Sequence, residues 1–245
     1  MGFFYTRPRL PAGEMIFAVG DIHGCIDLLQ MMQQKIYDYA AAYSGYRKTV
    51  VYLGDYVDRG PDPAAVVDQL LSGMGDDFTV ICLRGNHEQM MLDFLDQSDI
   101  GGAWLDYNNG GRCTIASYGV AEPKYFTDLQ KTQQEFKSAL PPDHLEFFHH
   151  LPLSYGIGDY FFTHAGVHPG RSLDKQLNQD LLWIREPFLS SNNDYGKVVV
   201  HGHTIVAHPE FKSNRVAVDT GAYWSGVLSA VVLHEDRHDF LQVKK

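Results

Sequence analysis

Cysteine is scarce in this sequence, with three thiols in 245 residues. An odd, small number excludes a disulfide scaffold and suits a reducing cytoplasm. No apolar run approaches the roughly eighteen residues needed to cross a bilayer. The first residues also lack the apolar stretch and small-residue cleavage site of an export signal. A soluble, cytoplasmic protein is therefore expected, with no membrane partner. Basic charge is in deficit too: 20 Lys plus Arg against 30 Asp plus Glu leave a net charge of −10. Coating of nucleic acid and attraction to an anionic membrane are not expected of such a surface. Repeats and linkers of biased composition are missing, so one domain over residues 1–245 is the economical reading. The opening residues satisfy the bare N-myristoylation pattern at Gly2 and Thr6. Three aromatics among them make that match a coincidence. Histidine, by contrast, is plentiful at twelve residues, so imidazole and carboxylate are the groups available to hold a metal.

The first half alternates β-branched or aromatic runs at 15–19, 49–53 and 78–83 with helical patterns at 25–43 and 63–71. That order predicts βαβ units and a largely parallel sheet. The middle, about 88–150, is helical in pattern, broken by Gly pairs at 101–102 and 110–111 and by Pro141-Pro142; it is expected to form a helical cap inserted in the domain. Strand patterns dominate afterwards, at 153–157, 160–163, 198–200, 215–218, 227–233 and 240–243. An α/β fold with two sheets and a helical insert follows.

Each early strand runs into a Gly-centred polar segment, and open α/β sheets bind ligands outside the carboxyl ends of their strands. The first segment is Gly20-Asp21-Ile22-His23-Gly24. Side chains two apart in extended backbone face one side, and a carboxylate with an imidazole suits Mn, Fe or Zn; such an Asp serves equally well as a helix N-cap. The second is Gly54-Asp55-Tyr56-Val57-Asp58-Arg59-Gly60-Pro61, whose density of charge packing does not require. Its competing reading is an Asx-turn with a solvated ion pair. The third is Gly85-Asn86-His87-Glu88. Asn86 offers a neutral carbonyl oxygen and His87 a group for proton transfer, although a capping arrangement uses the same residues. Later strands lead into Thr163-His164-Ala165-Gly166 and His201-Gly202-His203-Thr204.

Together these segments resemble GD-x-HG, GD-x-VDRG and GNHE, the signature of the phosphoprotein phosphatase (PPP) family in the calcineurin-like metallophosphoesterase superfamily. All three match without a substitution, and the resemblance spans about 17–232. It implies two mixed sheets packed as a sandwich flanked by helices. It further implies a two-metal centre, with Asp21, His23 and Asp55 on one ion and Asp55, Asn86, His164 and His203 on the other. Carboxylate, imidazole and carbonyl ligands point to Mn, with Fe or Zn next. The implied reaction is direct attack on phosphorus by a metal-bridging hydroxide. His87, oriented by Asp58, would protonate the leaving group, and Arg59 and Arg185 would grip the phosphoryl oxygens. Arg185 lies in Leu182-Trp183-Ile184-Arg185; a surface pair with Glu186 is its alternative.

Ile205 stands where nuclease relatives carry a second imidazole, which separates this chain from them. The implied activity is a serine/threonine protein phosphatase acting on phosphorylated protein or peptide. The alternatives are a dinucleoside polyphosphate hydrolase and a phosphotyrosine-preferring phosphatase. Related dinucleoside tetraphosphatases typically lack the Asp58 equivalent and read GNHD, so Asp58 and Glu88 favour the protein phosphatase. Oligomeric state is left open, a monomer included.

Among the remaining residues, His201 reads as a supporting group, and His144, His149 and His150 as solvated. His168, His208, His234 and His238 lack ligand spacing. Cys25 and Cys82 read as buried packing, and Tyr223 and Trp224 as either groove lining or core.

Overall fold

The computed structural model describes residues 7–97, 102–123 and 128–245. The Gly2 and Thr6 pattern and Gly101 fall outside them. In chain order the elements are β1 (Glu14–Val19), α1 (Ile26–Ala40), β2 (Arg47–Tyr52), α2 (Pro63–Leu71), β3 (Phe78–Cys82) and α3 (Asn86–Asp96). A short 3₁₀ helix (Gly102–Leu105), α4 (Gly111–Ser117), α5 (Leu129–Ala139) and α6 (Pro142–His150) follow. Then come β4 (Ser154–Ile157), β5 (Tyr160–Thr163), α7 (Asn178–Trp183), β6 (Val198–His201) and β7 (Glu210–Phe211). The chain ends in β8 (Arg215–Ala217), α8 (Ala222–Ser225), β9 (Val227–His234) and β10 (Arg237–Lys244).

Two mixed sheets result. The first has the order β10-β9-β1-β2-β3, the second β4-β5-β6-β8-β7. β1, β2 and β3 run parallel, as do β5, β6 and β8, while β9, β10, β4 and β7 add antiparallel partners. β1 is buried along its whole length because it is covered on both faces. Period-two alternation sends Met15, Phe17 and Val19 toward Leu29, Met32 and Ile36 of α1. The intervening Ile16 and Ala18 join Val51, Leu53, Val231 and Leu233 against Phe162, Val198, Val200 and Val216 of the second sheet. A third cluster, in which Val199 meets Leu181 of α7 and Phe188, covers the outer face of that sheet. The two sheets thus form a sandwich with helices outside, as the family resemblance implies.

Differences from the sequence reading have local causes. β10 starts at Arg237 rather than Phe240, since pairing with β9 continues through polar residues that an edge strand leaves in water. β7 has only two residues and α7 and α8 are short, too little chain for a hydrophobic period to show. His144 is buried, not solvated: its ring nitrogens lie 2.8 Å from the Tyr118 hydroxyl and 3.0 Å from Asp68, which join α6 to α4 and α2. His149 and His150 are exposed as expected. No helix among the described residues is long and apolar enough to cross a membrane.

Phe162 is fully buried between the sheets. Phe162→Ala should lower the urea midpoint by an amount equivalent to roughly 3–5 kcal/mol. A loss below about 1 kcal/mol, read by circular dichroism, would show that this contact does not hold the sheets together.

Candidate metal centre

The carboxyl ends of β1, β2, β3, β5, β6 and β8 gather at one edge of the sandwich, and every predicted segment leaves from one of them. Their backbones are unusual. Among the described residues six non-glycine positions have positive φ, and five of these are His23, Asp55, Asp58, Arg59 and His203. Left-handed backbone costs about 1–3 kcal/mol at such residues and persists only where the surroundings over-determine it. Glu88 supplies much of that restraint. Its fully buried carboxylate accepts the N–H groups of Asp55 (2.8 Å), Tyr56 (2.7 Å), Val57 (3.2 Å) and Gly85 (2.9 Å), tying the second segment to the third. Gly54, at φ 105°, permits the approach, since a Cβ there would lie 2.5 Å from the Gly85 nitrogen.

Asp55 stands at the middle. Oδ2 is 3.5 Å from His23 Nε2, and Oδ1 is 3.5 Å from His164 Nε2. His23, Asp55 and His87 form one candidate ligand group, and Asp55, His164 and His203 another, so Asp55 is common to both. Asn86 completes the second: its Oδ1 lies 2.8 Å from His164 Nε2 and 2.9 Å from His203 Nδ1, themselves 3.2 Å apart. Donors about 2.1 Å from one ion are roughly 3–3.4 Å apart, so this spacing fits a shared cation. The rings are fixed from behind: His23 Nδ1–H donates to the Val57 carbonyl at 2.8 Å and His164 Nδ1–H to that of Leu53 at 3.0 Å, which turns each Nε2, carrying no proton, toward the centre. Asp21 flanks the group and accepts the His203 N–H at 3.1 Å.

The electrostatics divide the imidazoles. Burial pushes His23 and His164 below their ordinary value, and burial with the neighbouring His164 lowers His203 to about 3, shifts toward the unprotonated form that metal ligation requires. Burial alone would raise Asp55, but His164, His87, His23 and His203 outweigh it and hold the carboxyl well below its usual range. Burial, Asp219 and Asp55 raise Asp21, and burial is the main reason Asp219 rises to about 6. Three buried carboxylates crowded together are relieved by a cation. His87 shifts the other way: burial opposes its charge, yet Asp55 and Asp58 prevail and raise it. Its Nδ1 is 2.6 Å from Asp58 Oδ2.

The two predicted arginines lie on the rim. Arg59 Nη1 donates to His23 Nε2 at 2.9 Å, and its guanidinium lies 4.8 Å from the Tyr223 ring centroid. Arg185 is exposed beyond α7, with its charge felt at His203. Among the described residues it makes no pair with Glu186, whose carboxylate instead accepts from Ser190. Tyr223 and Trp224 are surface groups, 38% and 80% exposed. His201 supports rather than faces the centre: it is fully buried with Nε2 unpartnered and its ring against Phe188. Cys25 is buried and its thiol rises to about 11 by burial, so no reactive thiolate forms there. The sequence reading missed the restraining contacts of Glu88, Asp219, Trp104 and Thr114. Only the Gly pair at 110–111 hinted at the last two, and it reads as a mere helix break.

Convergent imidazoles and carboxylates at strand ends, a shared carboxylate and two arginines beside them define a metal-dependent phosphoesterase. The family model of the calcineurin-like phosphoesterases matches residues 15–227, and the chain belongs to that family. It is 30% identical over 226 residues to serine/threonine-protein phosphatase 2 of Salmonella typhimurium, covering 87% of this chain and 90% of that one. It is also 26% identical over 234 residues to the asymmetrical bis(5'-nucleosyl)-tetraphosphatase PrpE of Anoxybacillus flavithermus, covering 87% and 88%. A crystal structure provisionally named a diadenosine tetraphosphatase superposes with a TM-score of 0.64 at 22% identity, over 97% of this chain and 98% of that one.

Burial lowers His201 to about 4. The native chain then binds this proton less readily than the unfolded chain, whose imidazole titrates near 6.5. Its contribution is complete above about pH 6.5 and is lost as pH falls toward 4. His201→Phe should flatten the stability profile between pH 7 and 4.5 by about 2–3 kcal/mol relative to the natural chain, measured by denaturant titration. Parallel profiles would refute this.

Proposed function

We propose that the chain is a serine/threonine protein phosphatase whose substrate is a phosphorylated protein or peptide. One observation carries this reading: of the four imidazoles at the centre, His87 alone is raised in proton affinity, by Asp55 and by the buried Asp58 bonded to its Nδ1. A serine or threonine alkoxide leaves poorly without a proton, whereas a nucleoside phosphate leaves well without one. An imidazole that keeps its proton therefore matters most for a phosphoserine or phosphothreonine ester.

Asp21, His23 and Asp55 would hold one divalent ion, and Asp55, Asn86, His164 and His203 the second. The pair, when bound, supplies Lewis acidity and an acidified water. Manganese fits this oxygen and imidazole set, with iron or zinc as the alternatives. Arg59 and Arg185 orient the phosphoryl oxygens through paired N–H groups. His87 donates from Nε2 while Nδ1–H stays on Asp58. The acidic surface argues against nucleic acid or membrane as partner, and a cytoplasmic location accords with the few thiols. A dinucleoside polyphosphate hydrolase is the second reading. Exposed Trp224 and the stacked Arg59 and Tyr223 favour it, because they offer flat faces on which a base could stack.

Equal concentrations of a phosphothreonine peptide, a phosphotyrosine peptide and diadenosine tetraphosphate, each with Mn, Fe, Zn and Mg in turn, test the assignment. The phosphothreonine peptide with Mn should turn over fastest. A preference of an order of magnitude for the dinucleotide would transfer the assignment to the second reading. His87→Asn should retain its metal content, measured by elemental analysis, and lose about 10²–10³-fold in kcat on the peptide. Unchanged kcat would remove His87 from proton donation.

A further inference from the structure

Asp58 has no exposed surface, and much of what encloses it comes from the helical segment between β3 and β4 rather than from the strand ends. Its Oδ2 accepts Trp104 Nε1–H at 2.8 Å beside His87 Nδ1–H at 2.6 Å. Its Oδ1 accepts the Thr114 hydroxyl at 2.6 Å, and that hydroxyl oxygen accepts the Asp58 N–H at 2.9 Å. Trp104 lies on the 3₁₀ helix and Thr114 on α4, both distant in sequence from the strand-end motifs.

The Gly110-Gly111 pair makes this docking possible. Gly110 adopts φ 81°, its carbonyl accepts the Arg59 N–H at 3.3 Å, and a Cβ there would lie 2.6 Å from the Arg59 nitrogen. A Cβ on Gly111 would lie 2.6 Å from the Trp104 ring. Any larger residue at either position pushes the segment off the Asp58 turn.

A carboxylate bonded to His87 alone could rotate and carry the imidazole with it. Donors from three directions fix the plane of the Asp58 carboxylate and satisfy a charge that water cannot reach. We propose that Trp104 and Thr114 are positioning residues for proton donation: they set the Asp58 carboxylate and through it aim His87 Nε2 at the leaving oxygen. The proposal rests on the assignment of His87 as proton donor. Trp104 and Thr114 keep their own protons throughout. As the oxygen of the attacking water bonds to phosphorus and gives up its proton to solvent, the His87 Nε2 proton passes to the leaving oxygen, which takes the electron pair of the breaking P–O bond.

Two aryl phosphates test this without reference to the natural substrate. Phenyl phosphate needs a proton on its leaving oxygen, whereas 2,4-dinitrophenyl phosphate does not. With the Mn-loaded full chain, Trp104→Phe and Thr114→Val should each lower kcat on phenyl phosphate about tenfold, with KM and metal content unchanged. On 2,4-dinitrophenyl phosphate the loss should stay within about twofold. Thr114→Ser, which keeps the hydroxyl, should restore the phenyl phosphate rate to within about twofold. Equal losses on both substrates, or none on phenyl phosphate, would overturn the proposal. His87→Asn separates the two possible failures. If it too is indifferent to the leaving group, the assignment of His87 falls and the proposal with it. If it discriminates while Trp104→Phe and Thr114→Val do not, the proposal falls alone.

Discussion

The site depends on one buried carboxylate. Asp55 sits in left-handed backbone at the end of β2, with one oxygen toward His23 and the other toward His164. Displacing it would leave two separate groups of ligands instead of two that share a member. Nothing about an aspartate favours such a place, since the burial costs solvation and the backbone costs strain. Both costs are offset locally. Four imidazoles stabilise the charge, and Glu88 gathers the backbone N–H groups that hold the turn. Glu88 itself is burdened, raised to about 7 by burial and by the neighbouring Asp55.

The same physics sorts four similar side chains into two uses. His23, His164 and His203 lose proton affinity because burial dominates their surroundings. His87 gains it because two carboxylates, Asp55 and then Asp58 on its Nδ1, outweigh the burial. An acidic protein thus gathers arginines beside candidate cation sites, an arrangement suited to a phosphoryl group, and the net charge of −10 says little about it. Charge at long range excludes a class of partners; charge within a few ångströms selects the chemistry.

The sandwich and the helical segment divide the work. Strand ends carry the candidate ligands, and the pairing of β1, β2 and β3 keeps the first three segments in register. The segment between β3 and β4 closes over the side opposite the second sheet, and its Trp104 packs in the same cluster as α1 and α2. Core packing and the surroundings of Asp58 are therefore one structure, so changes in this segment reach the centre without touching a ligand.

Much of this was legible in the amino-acid order. Period-two runs followed by Gly-centred polar segments announce strands with loops at their carboxyl ends, because alternation and turn chemistry act over a few residues. The spacings around Asp21, Asp55 and Asn86 are local in the same sense, and the loops they mark are the ones that converge at the strand ends. The fate of His144 was not legible: a polar helix predicts a solvated ring, and only the meeting of α2, α4 and α6 buries it. Nor could the sequence show that Trp104 and Thr114 reach Asp58 across 46 and 56 residues, or that five candidate site residues adopt positive φ. Local order determined which groups were available and which loops would carry them. Tertiary structure alone decided which imidazole gains proton affinity and which carboxylate is common to both candidate groups, because those follow from burial and from neighbours brought together by chain closure.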